Sequence, residues 1–312
     1  MAVDETTQRH PTTRDVARCH AAPREPDEST GTTGRFLPVA RRGHDVCTLA
    51  LAWHVFPGTP IAVGANRDEQ LDRPAEPPQL RPDRSPAVIA PRDREAGGTW
   101  MGLTETGLYV LLTNRWLATP IDGDRSRGLL VDDCLDRATA REAVSHVRAE
   151  IEDHGRSYAG FSLVLADSTA AFLLVNDGRL RVRRLDPGVH VLRNVGGVIN
   201  GRPRFAIPDR RSDAGTRQRT SARAMAERAR PEPGESAAVW LDRLGETLGD
   251  HDVDVCIHGE TFGTRSSTLV RTGDDPAFRY ADGPPCTAAY DPIAVPPGFA
   301  AATANAGGES HL

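Results

Sequence analysis

The sequence predicts an α+β domain built on antiparallel sheets, and three observations lead to that prediction. Two apolar runs of strand length, residues 47–55 and 61–65, open the hydrophobic part of the chain. A series of short strands follows between about 161 and 193, and a pair of helical stretches lies on either side of it. Because strands and helices occur in groups instead of alternating singly, a parallel sheet is disfavoured.

Order is expected to begin abruptly near Cys47. Residues 1–45 are rich in Thr, Pro, Arg and acidic residues and lack apolar periodicity, which is typical of a disordered extension. The segment 46–292 is expected to form one domain, since no internal repeat interrupts it. The Ala-, Gly- and Pro-rich segment 293–312 is expected to be a flexible tail.

The first elements are predicted from apolar runs and turn residues. Pro57-Gly58 joins the first two strands as a turn, and residues 72–98, dense in Pro, Arg and Asp, predict a long irregular connection. Residues 99–103 and 108–113 predict a hairpin around Glu105-Thr106-Gly107.

The remaining elements follow from helical spacing and short apolar runs. Ser126 is a suitable N-cap for the first of four helices, which are expected over about 127–137, 140–153, 216–230 and 236–248. Short strands are expected at 161–166, 171–176, 180–185, 190–193, 253–258, 267–270 and 278–281.

Composition excludes several classes of function. The net charge is −5 without a basic stripe, so no nucleic-acid partner is expected. No run of eighteen apolar residues exists, so no stable membrane association is expected. The first ten residues do not resemble a secretory signal, so a cytoplasmic location is expected. The chain contains no Lys, which excludes Schiff-base chemistry and a phosphate-loop lysine.

The five cysteines show no CxxC spacing, which disfavours both a disulfide framework and a structural zinc site. Cys134 and Cys256 are interpreted as small buried hydrophobic residues. Neither a metal nor another cofactor is expected. The cysteines are Cys19, Cys47, Cys134, Cys256 and Cys286.

Three polar clusters are candidates for chemistry. Cys47 begins the first strand, the run 66–69 (Asn-Arg-Asp-Glu) follows the second strand, and Asn114-Arg115 follows a later one. A hairpin of the first two strands would bring Arg67 and Asp68 beside Cys47. Taken singly, such residues usually have an ordinary structural role, as a buried thiol, a solvated polar turn and a turn asparagine, and no single cluster indicates chemistry by itself.

A resemblance to a known family adds to these observations. The stretch CTLALAW followed by ANRDE resembles the NRDE family, also called the transport and Golgi organisation family, which is named for this tetrapeptide. Further matching motifs occur in the family's order over nearly all of residues 47–270. They are GGTW at 97–100, TN at 113–114, SRG at 126–128, YAGF at 158–161, HVLRN at 190–194 and GTRSST at 263–268.

That family is similar to N-terminal-nucleophile hydrolases of the penicillin and bile-salt amidase branch. The resemblance implies a four-layer αββα sandwich with antiparallel sheets, which agrees with the α+β prediction. It also implies that Cys47 is the nucleophile and that its free α-amine is the base. Asp68 would orient the ammonium group, and Arg67 would favour the thiolate by its charge.

The resemblance implies further roles around the nucleophile. Asn114 and Asn194 would donate hydrogen bonds to the oxyanion that forms on attack. Arg265 would line the site or bind a substrate carboxylate. Trp100 and Glu69 are expected to contribute to substrate binding, although Glu69 could instead bond Arg67 or a neighbouring backbone amide.

This chemistry requires a free amine on Cys47, whereas Val46 precedes it here. Family members typically begin Met-Cys, and a GTG codon encodes valine internally but methionine at a start. The preferred explanation is therefore a start site assigned too far upstream. A pro-segment cut before Cys47 and an extension retained in the working protein are the alternatives.

Two functions from different classes follow. The first is a cysteine-dependent amide or acyl hydrolase that acts on a small molecule. The second is a non-catalytic protein of the same fold that binds a hydrophobic ligand such as haem or an acyl lipid, with a role in secretion or Golgi organisation. An interaction module is a third class, and residues 1–45 alone favour it.

Overall fold

The computed structural model describes residues 47–301. The predictions made for residues 1–46, including the state of Val46, and for the last eleven residues therefore lie outside the described residues. Within 47–301, no helix is long and apolar enough to cross a bilayer.

Fifteen strands and four α-helices make up the described part of the chain. The strands are β1 (Thr48–Phe56), β2 (Thr59–Gln70), β3 (Ala75–Arg81), β4 (Val88–Asp93), β5 (Met101–Thr104), β6 (Tyr109–Asn114), β7 (Phe161–Ala166), β8 (Ala171–Asn176), β9 (Leu180–Arg184), β10 (Gly188–Arg193), β11 (Gly196–Ile199), β12 (Arg202–Phe205), β13 (Phe262–Arg271), β14 (Ala277–Ala281) and β15 (Asp291–Ile293). The helices are α1 (Arg127–Cys134), α2 (Ala140–Arg148), α3 (Ser212–Arg228) and α4 (Ala237–Leu248), with a π turn at Ala149–Asp153 and a 3₁₀ turn at Asp209–Arg211.

The strands form two antiparallel sheets. The first has eight strands in the order β12-β11-β10-β1-β2-β13-β14-β15, and the second has seven in the order β3-β4-β5-β6-β7-β8-β9. The first and last thirds of the chain thus meet in one sheet, because β1 and β2 lie between β10 and β13. This arrangement confirms the predicted α+β class with antiparallel sheets.

Three apolar cores define the layers. The first core joins the two sheets and contains Leu49 from β1 and Leu111 from β6. The second packs α1 and α2 on the seven-stranded sheet, and the third packs α3 and α4 on the eight-stranded sheet. The order of layers is therefore helices, sheet, sheet, helices, as the predicted αββα sandwich requires.

Alternation along β1 explains how its two faces differ. Leu49, Leu51 and Trp53 lie in the core between the sheets, while Ala50 and Ala52 face the helices. Small residues suit the helix face because α4 lies close to it. A Cβ at Gly64 of β2, for example, would come within 2.6 Å of Leu244 Cδ2.

Several predicted elements are wrong. The segment 72–98 is not irregular, since it contains β3 and β4. Pro77 and Pro78 fit into β3 because it is the edge strand of its sheet and carries a bulge there. The strand expected at 253–258 does not form, because Asp254 has a positive φ of 56° and the Val255 carbonyl accepts a side-chain hydrogen bond from Asn66.

The chain remains packed beyond the expected boundary at residue 292. Phe299 and Ala300 are buried in the core between the sheets. The amide of Ala300 donates to the Glu105 carbonyl at 2.8 Å, and its own carbonyl accepts from Gly273 at 3.0 Å. The packed part of the chain thus extends to Ala300 and is longer than residue composition suggested.

Candidate active site at the end of the central strands

Cys47 lies one residue before β1, at the beginning of this central strand of the eight-stranded sheet. Thr48 pairs with Asn66 on one side and with Arg193 on the other, so Cys47 is level with Arg67 and Asn194. Its side chain is partly exposed, and its thiol donates to the backbone carbonyl of Asp68 at 3.9 Å. The hairpin of β1 and β2 therefore brings Arg67 and Asp68 beside Cys47, as the sequence suggested.

The strand alternation sorts the neighbours of Cys47 onto two sides. Arg67 and Asn194 lie on the side between the sheets, where they contact Trp100 and the Asn114 carbonyl. Asp68 and Arg193 lie on the side of the helices. A nucleophile at Cys47 would thus lie on the face between the sheets, with charged groups packed on the opposite face.

Arg67 is a buried guanidinium beside the thiol. Its Cζ lies 4.2 Å from the centre of the Trp100 ring, an arrangement that favours the cation, and its Nη2 lies 3.8 Å from Glu69 Oε2. Burial lowers the pKa of Arg67, while the negative charges of Glu69 and of a Cys47 thiolate oppose that shift. Arg67 and Cys47 are therefore close enough to influence each other electrostatically.

Glu69 and Trp100 were both expected to bind substrate. In the structure, both contact the Arg67 side chain. Glu69 also lies 4.0 Å from Arg73, and its Oε1 accepts from the amide of Gln70 at 2.9 Å. Glu69 thus makes both of the structural contacts that were its alternative role. Both residues contact the Arg67 guanidinium, Glu69 by charge and Trp100 by ring stacking.

Asp68 is a carboxylate with 1% of its surface exposed. Its Oδ1 accepts a hydrogen bond from Thr264 Oγ1 at 2.6 Å, and the same Thr264 oxygen accepts from the amide of Ile257 at 2.9 Å. Asp68 and Thr264 are direct register partners of β2 and β13. Two strands and one loop therefore position this carboxylate.

Arg193 is the residue that sequence reasoning missed. Its side chain is fully buried, and its Nη1 donates to Ser221 Oγ on α3 and to the Asp254 carbonyl at 2.9 Å. Burial lowers the pKa of Arg193, and the charges of Asp68, Asp254 and a Cys47 thiolate oppose that shift, Asp68 most strongly. The sequence did contain a signal for this buried charge, because Arg193 directly follows the apolar residues HVL of a predicted strand.

The two candidate oxyanion donors contact each other. Asn194 is fully buried, and its Nδ2 donates to the backbone carbonyl of Asn114 at 2.6 Å. The amide of Trp116 donates to the Asn194 carbonyl at 3.0 Å. These bonds join the ends of β6 and β10, one from each sheet, at the level of Cys47.

Arg265 lies at a bulge of β13, between Thr264 and Ser266, where the register with β2 shifts. Its Nη1 is 3.4 Å from Asp282 Oδ1, and its side chain is 30% exposed. Burial raises the pKa of the nearby Tyr280 hydroxyl, which the charges of Arg67 and Arg265 both oppose. Arg265 and Arg67 are therefore both close enough to Tyr280 to act on its hydroxyl electrostatically.

A groove of about 460 Å³ lies between the sheets, and its lining includes Arg115, the residue after Asn114, but not Cys47. Its apolar floor includes Leu173 and Leu192, and four arginines surround it: Arg115, Arg181, Arg183 and Arg204. Arg181 pairs with Asp177. Within 47–301, the other three arginines form no ion pair at all. Burial lowers the pKa of Arg115, and the charge of Asp177 opposes this.

Two of the described cysteines are buried as predicted. Cys134, the last residue of α1, is buried in the core between the helices and the seven-stranded sheet, and burial raises the pKa of its thiol, in agreement with the predicted structural role. Cys256 is buried, as predicted, but its sulfur also lies 3.5 Å from that of Cys286, a contact that was not predicted. The sequence separates these two residues by thirty positions, so spacing could not reveal the contact.

The fold and the site define a class: an αββα sandwich with a cysteine at the start of a central strand and buried charged groups behind it. The family model for Transport and Golgi organisation 2 matches residues 46–282. The chain belongs to this family, which is the NRDE family indicated by the sequence motifs.

Curated relatives match part of the chain. The mouse Transport and Golgi organization 2 homolog is 30% identical over 142 residues, which is 43% of this chain and 50% of that protein. The human homolog is 31% identical over 115 residues, or 36% and 40%. The chain spans half the length or less of the curated relatives it matches.

Two solved structures resemble the fold. Penicillin V acylase from Agrobacterium tumefaciens shares 14% identity and a TM-score of 0.45, over 76% of this chain and 86% of that one. The C2A mutant of conjugated bile acid hydrolase from Clostridium perfringens shares 10% identity and a TM-score of 0.43, over 84% and 100%.

Proposed function

We propose that this protein is a cysteine-dependent hydrolase of the N-terminal-nucleophile type that cleaves an amide or acyl bond of a small molecule. One observation carries the proposal. The partly exposed thiol of Cys47 lies at the end of a central strand, and the charges of two buried arginines, Arg67 and Arg193, act on it. Nearby positive charge stabilises the thiolate, which is the reactive form of cysteine.

The chemistry needs a base, and the α-amine of Cys47 would supply it. A terminal amine titrates at about 7.7–8.0 and an ordinary thiol at about 8.5, so proton transfer between them costs little at neutral pH. The amine exists only when the bond between Val46 and Cys47 is absent. Asp68, whose backbone carbonyl accepts from the thiol, is the carboxylate next to this position.

The reaction would proceed in two steps. The thiolate attacks the substrate carbonyl carbon, a C–S bond forms, and the oxyanion accepts hydrogen bonds from Asn114 and Asn194. The ammonium group then protonates the leaving amine as the C–N bond breaks. Water, deprotonated by the same amine, attacks the thioester and releases the acid and the free thiol.

The groove between the sheets indicates the class of substrate. Its apolar floor fits an acyl chain, and Arg115, Arg183 and Arg204 offer guanidinium groups to a carboxylate, sulfonate or phosphate. We therefore propose an acyl amide or thioester with an anionic group as the substrate.

The experiment that tests the proposed base compares two forms of the chain. One is released by a protease so that it begins at Cys47, and the other retains residues 1–46. We expect only the first form to hydrolyse members of a panel of anionic acyl amides and thioesters, with intact mass verifying each N-terminus. Equal turnover by both forms, or none by the form with the free amine, would contradict the proposal.

The anionic groove yields a separate prediction. Arg115→Gln should raise KM for an anionic substrate about tenfold, equivalent to about 1.4 kcal/mol, because a charge-assisted hydrogen bond is lost. KM for a neutral analogue should change little. Arg202→Gln, on the exposed part of β12, is the matched control. The groove is not the substrate site if both arginine variants affect the two substrates alike.

A second candidate is a non-catalytic ligand-binding protein. The same groove could hold an anionic hydrophobic ligand, such as haem or an acyl lipid, without any use of the thiol, and the curated relatives are named for transport and Golgi organization. Equilibrium binding of a fluorescent fatty acid would favour this candidate if the affinity is the same with and without the thiol and no substrate of the panel is consumed.

A further inference from the structure

A cluster of four metal-ligating side chains lies outside the candidate active site. It consists of His251, Cys256, His258 and Cys286, whose ligand atoms all lie within 4.8 Å of one another. His258 Nε2 is 3.1 Å from Cys286 Sγ and 3.7 Å from Cys256 Sγ, and the two sulfurs are 3.5 Å apart. The cluster contains no carboxylate.

The two separations that involve Cys256 fall within the edge lengths of a metal-centred tetrahedron, that between His258 and Cys286 is slightly shorter, and His251 lies within 4.8 Å of the other three ligands. Zinc lies about 2.3 Å from thiolate sulfur and about 2.0–2.1 Å from imidazole nitrogen, so tetrahedral geometry places its ligand atoms about 3.3–3.8 Å apart. A disulfide would require the sulfurs at about 2.05 Å. We propose that His251, Cys256, His258 and Cys286 form a Cys₂His₂ site for Zn²⁺.

The chemistry of the donors selects the metal class. Thiolate and imidazole ligands in a tetrahedral arrangement favour Zn²⁺, whereas Mg²⁺ and Ca²⁺ require oxygen ligands. Four protein ligands leave no open position for a water molecule. The site is therefore of the structural kind and not of the catalytic kind.

The local backbone brings the ligands together from two segments. Three of them lie in the loop after α4, and Cys286 lies in the loop between β14 and β15. Gly249 permits this approach, because a Cβ there would lie 3.1 Å from the backbone nitrogen of Cys286. Cys256 is buried while the other three ligands are exposed, so the metal could enter from solvent.

The loop that carries three ligands also supports the candidate active site. The carbonyl of Val255 accepts from Asn66 Nδ2 at 2.8 Å, and that of Asp254 accepts from Arg193 at 2.9 Å. The amide of Ile257 donates to Thr264 Oγ1, which in turn donates to Asp68. Zinc would thus fix a loop without regular structure that positions the buried charges behind Cys47.

The experiment measures metal in the full chain, purified under reducing conditions without chelator. We expect about one zinc per chain by inductively coupled plasma mass spectrometry, and Co²⁺ substitution should produce thiolate-to-metal charge-transfer absorption. Cys256→Ser combined with Cys286→Ser should remove the metal. His258→Gln should weaken zinc affinity at least about tenfold. The controls His154→Gln, an exposed histidine elsewhere, and Cys47→Ala should retain zinc.

A measurement on the wild type keeps the proposal testable if the double variant fails to fold. Chelation should lower Tm, and one equivalent of Zn²⁺ should restore it. The proposal is overturned if the reduced, metal-free chain binds no zinc and shows no rise in Tm, or if Cys256 and Cys286 are found joined as a disulfide in the reduced preparation. Metal content does not depend on turnover, so this result is independent of the proposed hydrolase activity.

Discussion

Cys47→Ala should abolish turnover by the form of the chain that begins at residue 47, by a factor on the order of 10⁴ or more. The substitution removes the atom that forms the covalent bond, and the other described cysteines are placed differently: Cys134 is buried within a core, and the sulfur of Cys256 lies against that of Cys286. Cys47→Ser should retain little of the activity, since a hydroxyl is a far weaker nucleophile than a thiolate at neutral pH.

The same substitution should leave the fold intact. The Cys47 side chain is partly exposed, and its described hydrogen bond is a long contact of 3.9 Å from sulfur to a carbonyl oxygen. We expect the free energy of unfolding to change by less than about 1 kcal/mol. The measurements are amine release from a substrate and the midpoint of urea unfolding.

Cys134→Ala is the matched control for Cys47→Ala. Cys134, the last residue of α1, is fully buried against the seven-stranded sheet, so this variant should lose stability and keep its activity. A Cys47→Ala chain that still turns over substrate would exclude Cys47 as the nucleophile. Loss of both activity and folding in that variant would instead indicate a structural role.

Arg193→Met should destabilise the protein by about 3–5 kcal/mol. Arg193 is fully buried, and Asp68 is the acidic group that acts on it most strongly. Methionine can fill much of the volume but leaves the Asp68 carboxylate, which is 1% exposed, without this positive charge. It also leaves Ser221 and the Asp254 carbonyl without their guanidinium donor. Urea unfolding at neutral pH measures the loss.

A double-mutant cycle separates the charge interaction from the lost packing. Asp68→Asn removes the negative charge at similar volume, so Arg193→Met should cost less in an Asp68→Asn background than in the wild type. Arg279→Met, a half-exposed arginine paired with Asp242 at 2.7 Å, is the control and should cost about 1 kcal/mol or less. Strict additivity of the Asp68 and Arg193 variants would show that the two charges are not coupled.

The predictable part of the fold depended on local patterns. The strands expected at 161–166 and 171–176 coincide with β7 and β8, because apolar residues there run continuously between turn signals. By contrast, β3 was missed because consecutive prolines usually exclude a strand, and only its position at a sheet edge makes them tolerable. The packing of Phe299 was also missed, because an Ala- and Gly-rich context has no periodicity to reveal it.

The residues of the candidate site likewise fall into those that local sequence patterns predicted and those that they did not. The sequence by itself determined that Cys47, Arg67 and Asp68 are neighbours, since two adjacent strands joined by a short turn bring their ends together. The grouped elements also indicated the α+β class, and the family resemblance carried by the ordered motifs implied the αββα sandwich.

Only the tertiary structure decided which distant groups complete the site. The charge of Asp68 acts on Arg193, and the sulfur of Cys256 contacts that of Cys286, although the segments that carry them are far apart in the chain. The basic groove likewise assembles arginines from strands of both sheets. Such contacts depend on how sheets and loops pack, and the residues that make them have no periodicity in common. Local sequence patterns therefore carry no record of them, whereas a hairpin register is set by residues that are close in sequence.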